Sequence, residues 1–280
     1  MEYLDRAEYC LQNQFYANQF TTGDFGHHCY TDFGEKAIQG VGRAWWCCTM
    51  HGLRAFRDVL DAAVTTSGDV VRINLYADVD WTSNANAVSV KTSALPDGKL
   101  GWTVNVKQAP QTGLKIAVRK PSWAETTSAL LDGADIASKE ENGYLVFEKP
   151  FSADGKLEII LAPRWEFVAK DGSVFQPSEL SEKPTNAALR VGPWLMGVDE
   201  ADNLMFFGEP WGDNHILFPK TPTAIPAPSG ALTQGRLHVT CEYIHDGFFS
   251  VQQVTLRPIA ERTEHEPMTF GARLSYMAKN

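Results

Sequence analysis

Two adjacent cysteines, Cys47 and Cys48, stand in the stretch Arg43-Ala-Trp-Trp-Cys-Cys-Thr-Met-His-Gly-Leu-Arg54, just ahead of a helical pattern. Leu53, Phe56, Leu60 and Ala63-Val64 recur at three-and-four spacing, so the thiols fall in the first turn of a helix expected over residues 48–65. Unpaired backbone N–H groups and the positive dipole end favour an anion there. That position lowers a thiol's pKa toward the nucleophilic thiolate, and Arg43 or Arg54 would add to the effect. Vicinal thiols can also share one soft metal ion when other ligands arrive from elsewhere. The plainer alternative is a pair of buried apolar residues, the usual fate of free cysteine.

A second group of chemically capable residues lies just upstream. Residues 21–44 are Gly-rich and aperiodic and hold Asp24, His27, His28, Cys29, Asp32 and Glu35. A connection of that length is usually functional or disordered. His27, His28 and Cys29 invite a metal reading, but no second ligand pair sits at a zinc-finger spacing, so ordinary loop polarity is the alternative. His51 lies close behind the cysteine pair.

The elements that must position these groups are a short helical segment and a long β region. Residues 2–20 read as a helix with Leu4, Ala7, Leu11 and Phe15 on one face and Glu2, Asp5, Arg6 and Glu8 mostly on others. After Thr65-Thr-Ser-Gly68 the texture changes to apolar–polar alternation: 70–76, 87–92, 102–106, 114–119, 144–147 and 157–161. Pro96-Asp-Gly98, Asp132-Gly133, Asn142-Gly143 and Asp154-Gly155 separate them as turns. Further strands are expected at 187–191, 194–198, 236–240, 251–257 and 271–276, with a Pro- and Gly-rich surface loop over 208–230. Short strands with regular turn signals imply sandwiches. The fold class expected is therefore mainly β: a helical segment over 1–68, then antiparallel β-sandwich domains over 69–165 and 166–280.

Composition narrows the partners. The formal net charge of −9 argues against nucleic acid or an anionic membrane. No apolar run approaches the roughly 20 residues needed to span a bilayer. The first residues lack the basic and apolar regions of a signal peptide. Five cysteines without regular spacing suit free thiols in a reducing compartment, which leans toward the cytoplasm.

Cys-Cys-Thr-x-x-Gly-x-Arg (47–54) followed by Val71-Arg-Ile-Asn-Leu-Tyr76 resembles the glycoside hydrolase family 127 group, the β-L-arabinofuranosidase-like proteins. Ile116-Ala-Val-Arg-Lys-Pro-Ser-Trp123, Asn142-Gly-Tyr-Leu-Val-Phe-Glu148, Leu157-Glu-Ile-Ile-Leu-Ala-Pro163 and Leu189-Arg-Val-Gly-Pro-Trp194 continue the resemblance, and Asp5–Gln14 is similar to the helix before the family's site. The resemblance implies an (α/α)-barrel catalytic domain followed by β-sandwiches, removing a terminal furanosyl sugar with retention of configuration. It implies Cys47 as nucleophile and Cys48 as its neighbouring zinc ligand, completed by upstream Glu and Cys ligands and an upstream acid/base Glu.

The chain departs from that pattern in four ways. Those upstream groups have no counterpart in it, and residues 1–66 hold only two helices of the barrel. The family's Asn after the cysteine pair is replaced by His51, and a Pro-rich lead-in is absent. Glu35, Asp32 and Asp24 are the acidic residues near enough in sequence to substitute, and His27, His28 and Cys29 could replace zinc ligands. Three readings follow. One is the C-terminal part of a retaining arabinofuranosidase acting on an arabinofuranosyl oligosaccharide or plant glycan. The second is a non-catalytic carbohydrate-binding or oligomerisation module, with Trp45, Trp46 and Trp211 as candidate sugar contacts and Trp123 and Trp194 packed. The third is a zinc-stabilised structural protein. A helical segment without its barrel must also cover its apolar face, against the first sandwich, a missing N-terminal half or another copy.

Overall fold

The computed structural model describes residues 2–20, 22–26, 29–30, 35–37, 46–84, 86–207, 214–228, 235–245, 251–261 and 268–279. It is mainly β, as expected, and its chain divides into two compact units. The first comprises Met1–Glu8 and Leu53–Pro163, the second Tyr9–Gly52 and Arg164–Asn280. The helical segment is thus shared out between the β units, and the division between them falls at Pro163/Arg164.

In the first unit, a six-stranded and a five-stranded sheet use the alternation anticipated from sequence. Strand Lys156–Pro163 buries every second residue, with Leu157, Ile159 and Leu161 inside, and Trp102, Val104, Val88 and Val90 fill the same core. Asp132-Gly133 and Asn142-Gly143 have positive φ at both positions, the type I′ geometry that hairpin twist demands. One pairing is parallel rather than antiparallel, between Val70–Ile73 and Lys115–Arg119. The strand expected over 70–76 stops at Ile73, because Asn74 turns its polar groups to other partners. Its N–H donates to the Ala63 carbonyl at 2.8 Å, and its side-chain amide donates to Ala62 O at 2.8 Å and Thr65 Oγ1 at 3.0 Å.

The N-terminal helix α1 (Glu2–Cys10) contributes its first turns to this unit, with an orientation that corrects the sequence reading. Glu8, read as lying off the apolar face, is fully buried, while Ala7, read as on it, is exposed. Its Oε1 accepts from Tyr76 N–H at 2.5 Å and its Oε2 from Trp123 Nε1 at 2.5 Å. Arg119 Nη2 approaches the same Oε2 at 2.5 Å. Asp5 accepts from Arg119 Nη1 and, at 3.1 Å, from Ser122 N–H, while Arg119 Nε donates to Asn74 O. A guanidinium inside an apolar strand needs carboxylates, and that requirement outweighs the apolar stripe.

The second unit is built on one twelve-stranded sheet. Six of its strands close into a ring: Thr185–Val191, Trp194–Asp199, Gln252–Pro258, Leu237–His245, Asn214–Phe218 and Ser275–Ala278, which returns to the first. Closure leaves those strands with few unpaired edges. Asn214–Phe218 lies inside the stretch expected to be a surface loop. Its apolar His-Ile-Leu-Phe run is buried at His215, Ile216 and Phe218, a core strand that the flanking Pro and Gly residues disguise. The 271–276 strand starts late, at Ser275, after a 3₁₀ turn over Gly271–Arg273.

The segment after α1 holds to this unit by polar side chains. Leu11–Phe15 forms a π-helical turn and Tyr16–Asn18 a 3₁₀ turn, instead of an α-helix running to residue 20. Asn13 Nδ2 donates to Pro193 O at 2.7 Å and its Oδ1 accepts from Leu195 N–H at 2.6 Å; Gln12 Oε1 accepts from Trp194 Nε1 at 3.2 Å. Both ends of the Gly-Pro-Trp turn are thereby satisfied by one helical turn.

Candidate active site

Helix α2 spans Trp46–Ala63, so Cys47 and Cys48 occupy its first turn as expected. Thr49 and Gly52 of the same motif hold that turn in place. Thr49 Oγ1 accepts from Phe25 N–H at 3.1 Å and donates to Phe25 O at 3.3 Å. A Cβ on Gly52 would lie 2.3 Å from the Phe25 ring, so the Gly serves close approach. Phe15 packs on the Phe25 ring, with ring centroids 4.9 Å apart. The Thr-x-x-Gly spacing puts both residues on one helix face, i and i+3, held against a single residue: Thr49 on the Phe25 backbone and Gly52 on its ring.

The two thiols remain half-exposed, with their sulfurs 3.9 Å apart. They are not sealed in hydrocarbon, in contrast to Cys241, which is buried and whose thiol desolvation pushes up to about 12. Cys10, on α1, is exposed. The expected lowering of pKa at the helix start is not what Cys48 shows. Desolvation first, then the hydrogen bond and charge of Cys47, hold its thiol above the ordinary value. Arg54, proposed as an added positive neighbour, is exposed, and Arg43 lies outside the described residues.

Could these sulfurs take a zinc ion? Two thiolates at about 2.3 Å from a tetrahedral zinc stand roughly 3.8 Å apart. The observed 3.9 Å fits two corners of such a site. The remaining corners are not supplied by the described residues, which contain no group of three or more His, Cys, Asp or Glu able to hold a metal. Of the expected helpers, His27, His28, Asp32, Trp45 and Trp211 lie outside the described residues. Cys29 and Glu35 are placed by backbone alone: Cys29 pairs with Ala37, and Glu35 pairs with Thr269 at the edge of the twelve-stranded sheet. That hairpin gives order to part of a stretch expected to be aperiodic. His51 is exposed, and Asp24 is an exposed residue accepting from Thr22 Oγ1 at 3.3 Å.

α2 also departs from expectation on its apolar side. Ala63 and Val64 are buried, yet Leu53 is 56% and Leu60 46% exposed, joined by Trp46 at 81% and Met50 at 66%. Those positions repeat at three-and-four spacing, which is the stripe one helix offers another. Trp194 is buried as expected, and Trp123 is half-buried on Glu8. The two carboxylates that hold Arg119, Asp5 and Glu8, escaped the reading of the sequence. The signal was Arg119, a charge inside the strand Ile116-Ala-Val-Arg.

Residues 70–162 match the model of the GH127 middle domain of β-L-arabinofuranosidases. That stretch is GH127-like. The matched stretch is the core of the first unit and lies downstream of the cysteine pair. Solved structures extend the likeness of fold to the whole chain. A GH127 β-L-arabinofuranosidase from Geobacillus stearothermophilus T6 superposes with a TM-score of 0.62 at 15% identity, covering 99% of this chain and 46% of that one. A chain described as a glycoside hydrolase gives 0.66 at 17% identity, covering 100% and 49%. A GH127 β-arabinofuranosidase gives 0.60 at 15%, covering 99% and 47%. The chain therefore spans just under half the length of these solved structures. No curated protein matches it. Among the described residues, no helix is long and apolar enough to cross a membrane.

Proposed function

We propose that this GH127-like chain carries the nucleophile-bearing part of a retaining arabinofuranosidase acting on an arabinofuranosyl-type glycan. The observation that supports this most is the half-exposed Cys47–Cys48 pair, clamped in the first turn of α2 with its sulfurs 3.9 Å apart. In this reading the Cys47 sulfur attacks the anomeric carbon, the bond to the leaving oxygen breaks, and that oxygen takes a proton from a carboxylic acid. Water then displaces the sulfur, and the carboxylate accepts its proton. A zinc ion held by Cys47 and Cys48 would keep the thiols ionised, as a coordinated thiol is. The acid and the other zinc ligands come from a segment outside these 280 residues, or from another chain.

The test has two parts. Purified protein is assayed for release of an aryl alcohol from an aryl β-L-arabinofuranoside, and for bound zinc by elemental analysis. Activity lost in Cys47→Ala supports the proposal; activity that survives that substitution rejects the sulfur nucleophile. A second reading is a carbohydrate-binding or oligomerisation module without catalysis, favoured by the exposed indole of Trp46 at the start of α2. Sugar binding without turnover or zinc would select it.

A further inference from the structure

The second unit contains a buried charge cluster remote in sequence from the cysteine pair. Arg236 and His238, two residues apart at the start of strand Leu237–His245, both meet Glu261 at the end of the 3₁₀ turn Ile259–Glu261. Arg236 is 8%, His238 8% and Glu261 5% exposed. Glu261 Oε2 lies 2.5 Å from His238 Nε2, a hydrogen bond. Its other oxygen stands 4.0 Å from Arg236 Nη1, too far for one. The guanidinium lies over the Tyr16 ring, 5.7 Å from its centroid. Among the described residues, Nη1 of Arg236 and Oε1 of Glu261 have no hydrogen-bond partner, and neither is accessible.

A donor and an acceptor left bare side by side in a protein interior define what fits between them. The occupant must accept from the guanidinium and donate to the carboxylate. The opposed charges cancel, so neither an anion nor a cation gains by entering. A water molecule can stand about 2.8–2.9 Å from both atoms at once when they are 4.0 Å apart, and buried waters serve such donor–acceptor pairs. We propose that one ordered water bridges Arg236 Nη1 and Glu261 Oε1, completing a His238–Glu261–water–Arg236 chain. It ties the strand to the 3₁₀ turn and to the guanidinium stacked on Tyr16.

A high-resolution crystal structure of the 280-residue chain tests this. The expected result is one density peak within hydrogen-bonding distance of both atoms, with their separation still near 4.0 Å. Closure of the pair into a direct hydrogen bond, or a side chain filling the gap, overturns the proposal. Arg236→Met removes the donor and should empty the position, whereas Glu261→Gln keeps an acceptor and should retain it. A peak that persists unchanged in Arg236→Met also overturns the bridge.

Discussion

Glu8 and Arg119 meet at 2.5 Å with no side-chain surface exposed on either. The carboxylate is further held by Tyr76 N–H and the Trp123 indole, the guanidinium by Asp5 and the Asn74 carbonyl. Each charge is thus paired several times over, which is the condition under which a buried ion pair can be kept. The first turns of α1 are part of the first β unit because of this pair.

Removing one partner strands the other. Glu8→Ala should destabilise the first unit by about 3–5 kcal/mol, the range for breaking a buried pair. Glu2→Ala breaks an exposed pair with Arg6 and should cost no more than about 1 kcal/mol. Urea denaturation of both variants, followed by tryptophan fluorescence, checks the contrast. Equal midpoints would refute the anchoring role of Glu8.

Gly52→Ala pits two effects against each other. Alanine raises helix propensity by about 1 kcal/mol. The new methyl would meet the Phe25 ring at 2.3 Å, and overpacking costs about 1–3 kcal/mol. Net destabilisation is expected, relieved in part by Phe25→Leu on the Gly52→Ala background. A stabilised single variant in thermal melts would show that the ring yields freely.

The buried Cys241 thiol gives stability an alkaline limit. Burial pushes its folded value up to about 12, above the ordinary 9.0 of a free thiol. Such a group leaves stability intact below pH 9 and drains it as pH rises toward 12, because only the unfolded chain readily loses the proton. The loss approaches about 1.4 kcal/mol per pH unit in that window. Cys241→Val should flatten the decline measured in urea titrations at pH 9–11; an unchanged slope would place the titration elsewhere.

Thiol accessibility separates the cysteines directly. Cys10, Cys47 and Cys48 should react with an aromatic disulfide reagent in the native protein, and Cys241 only after unfolding. If zinc binds the pair, reaction at Cys47 and Cys48 should slow at least tenfold and recover on adding a chelator. Fast reaction regardless of zinc would argue against their sharing the ion.

The exposed leucines of α2 predict association. Leu53 and Leu60 offer apolar surface to water, and such surface favours self-association. Light scattering should show mass rising with concentration, and Leu53→Glu with Leu60→Lys should return the chain to monomer. A wild-type monomer at every concentration would contradict this.

Much of this protein was legible from local chemistry. Period-two alternation at 156–163 and paired positive-φ turns such as Asn142-Gly143 are written in neighbouring residues, so the β elements and the Cys47–Cys48 helix start could be read directly. Residues 208–230 misled because composition outvoted the five-residue strand Asn214–Phe218, whose partners come from elsewhere in the chain. α1 misled because an apolar stripe says nothing about a distant guanidinium.

By itself, the sequence determined many of the strands and which helix turn bears the two thiols, because those depend on backbone preference and side-chain period within a few residues. Only the tertiary structure decided that Glu8 is an interior residue, that Gly52 exists for Phe25, and that the strands of the second unit close into a ring. Those outcomes depend on which far-separated groups must satisfy each other once water is excluded, and pairing across such distances leaves no periodic trace in the chain.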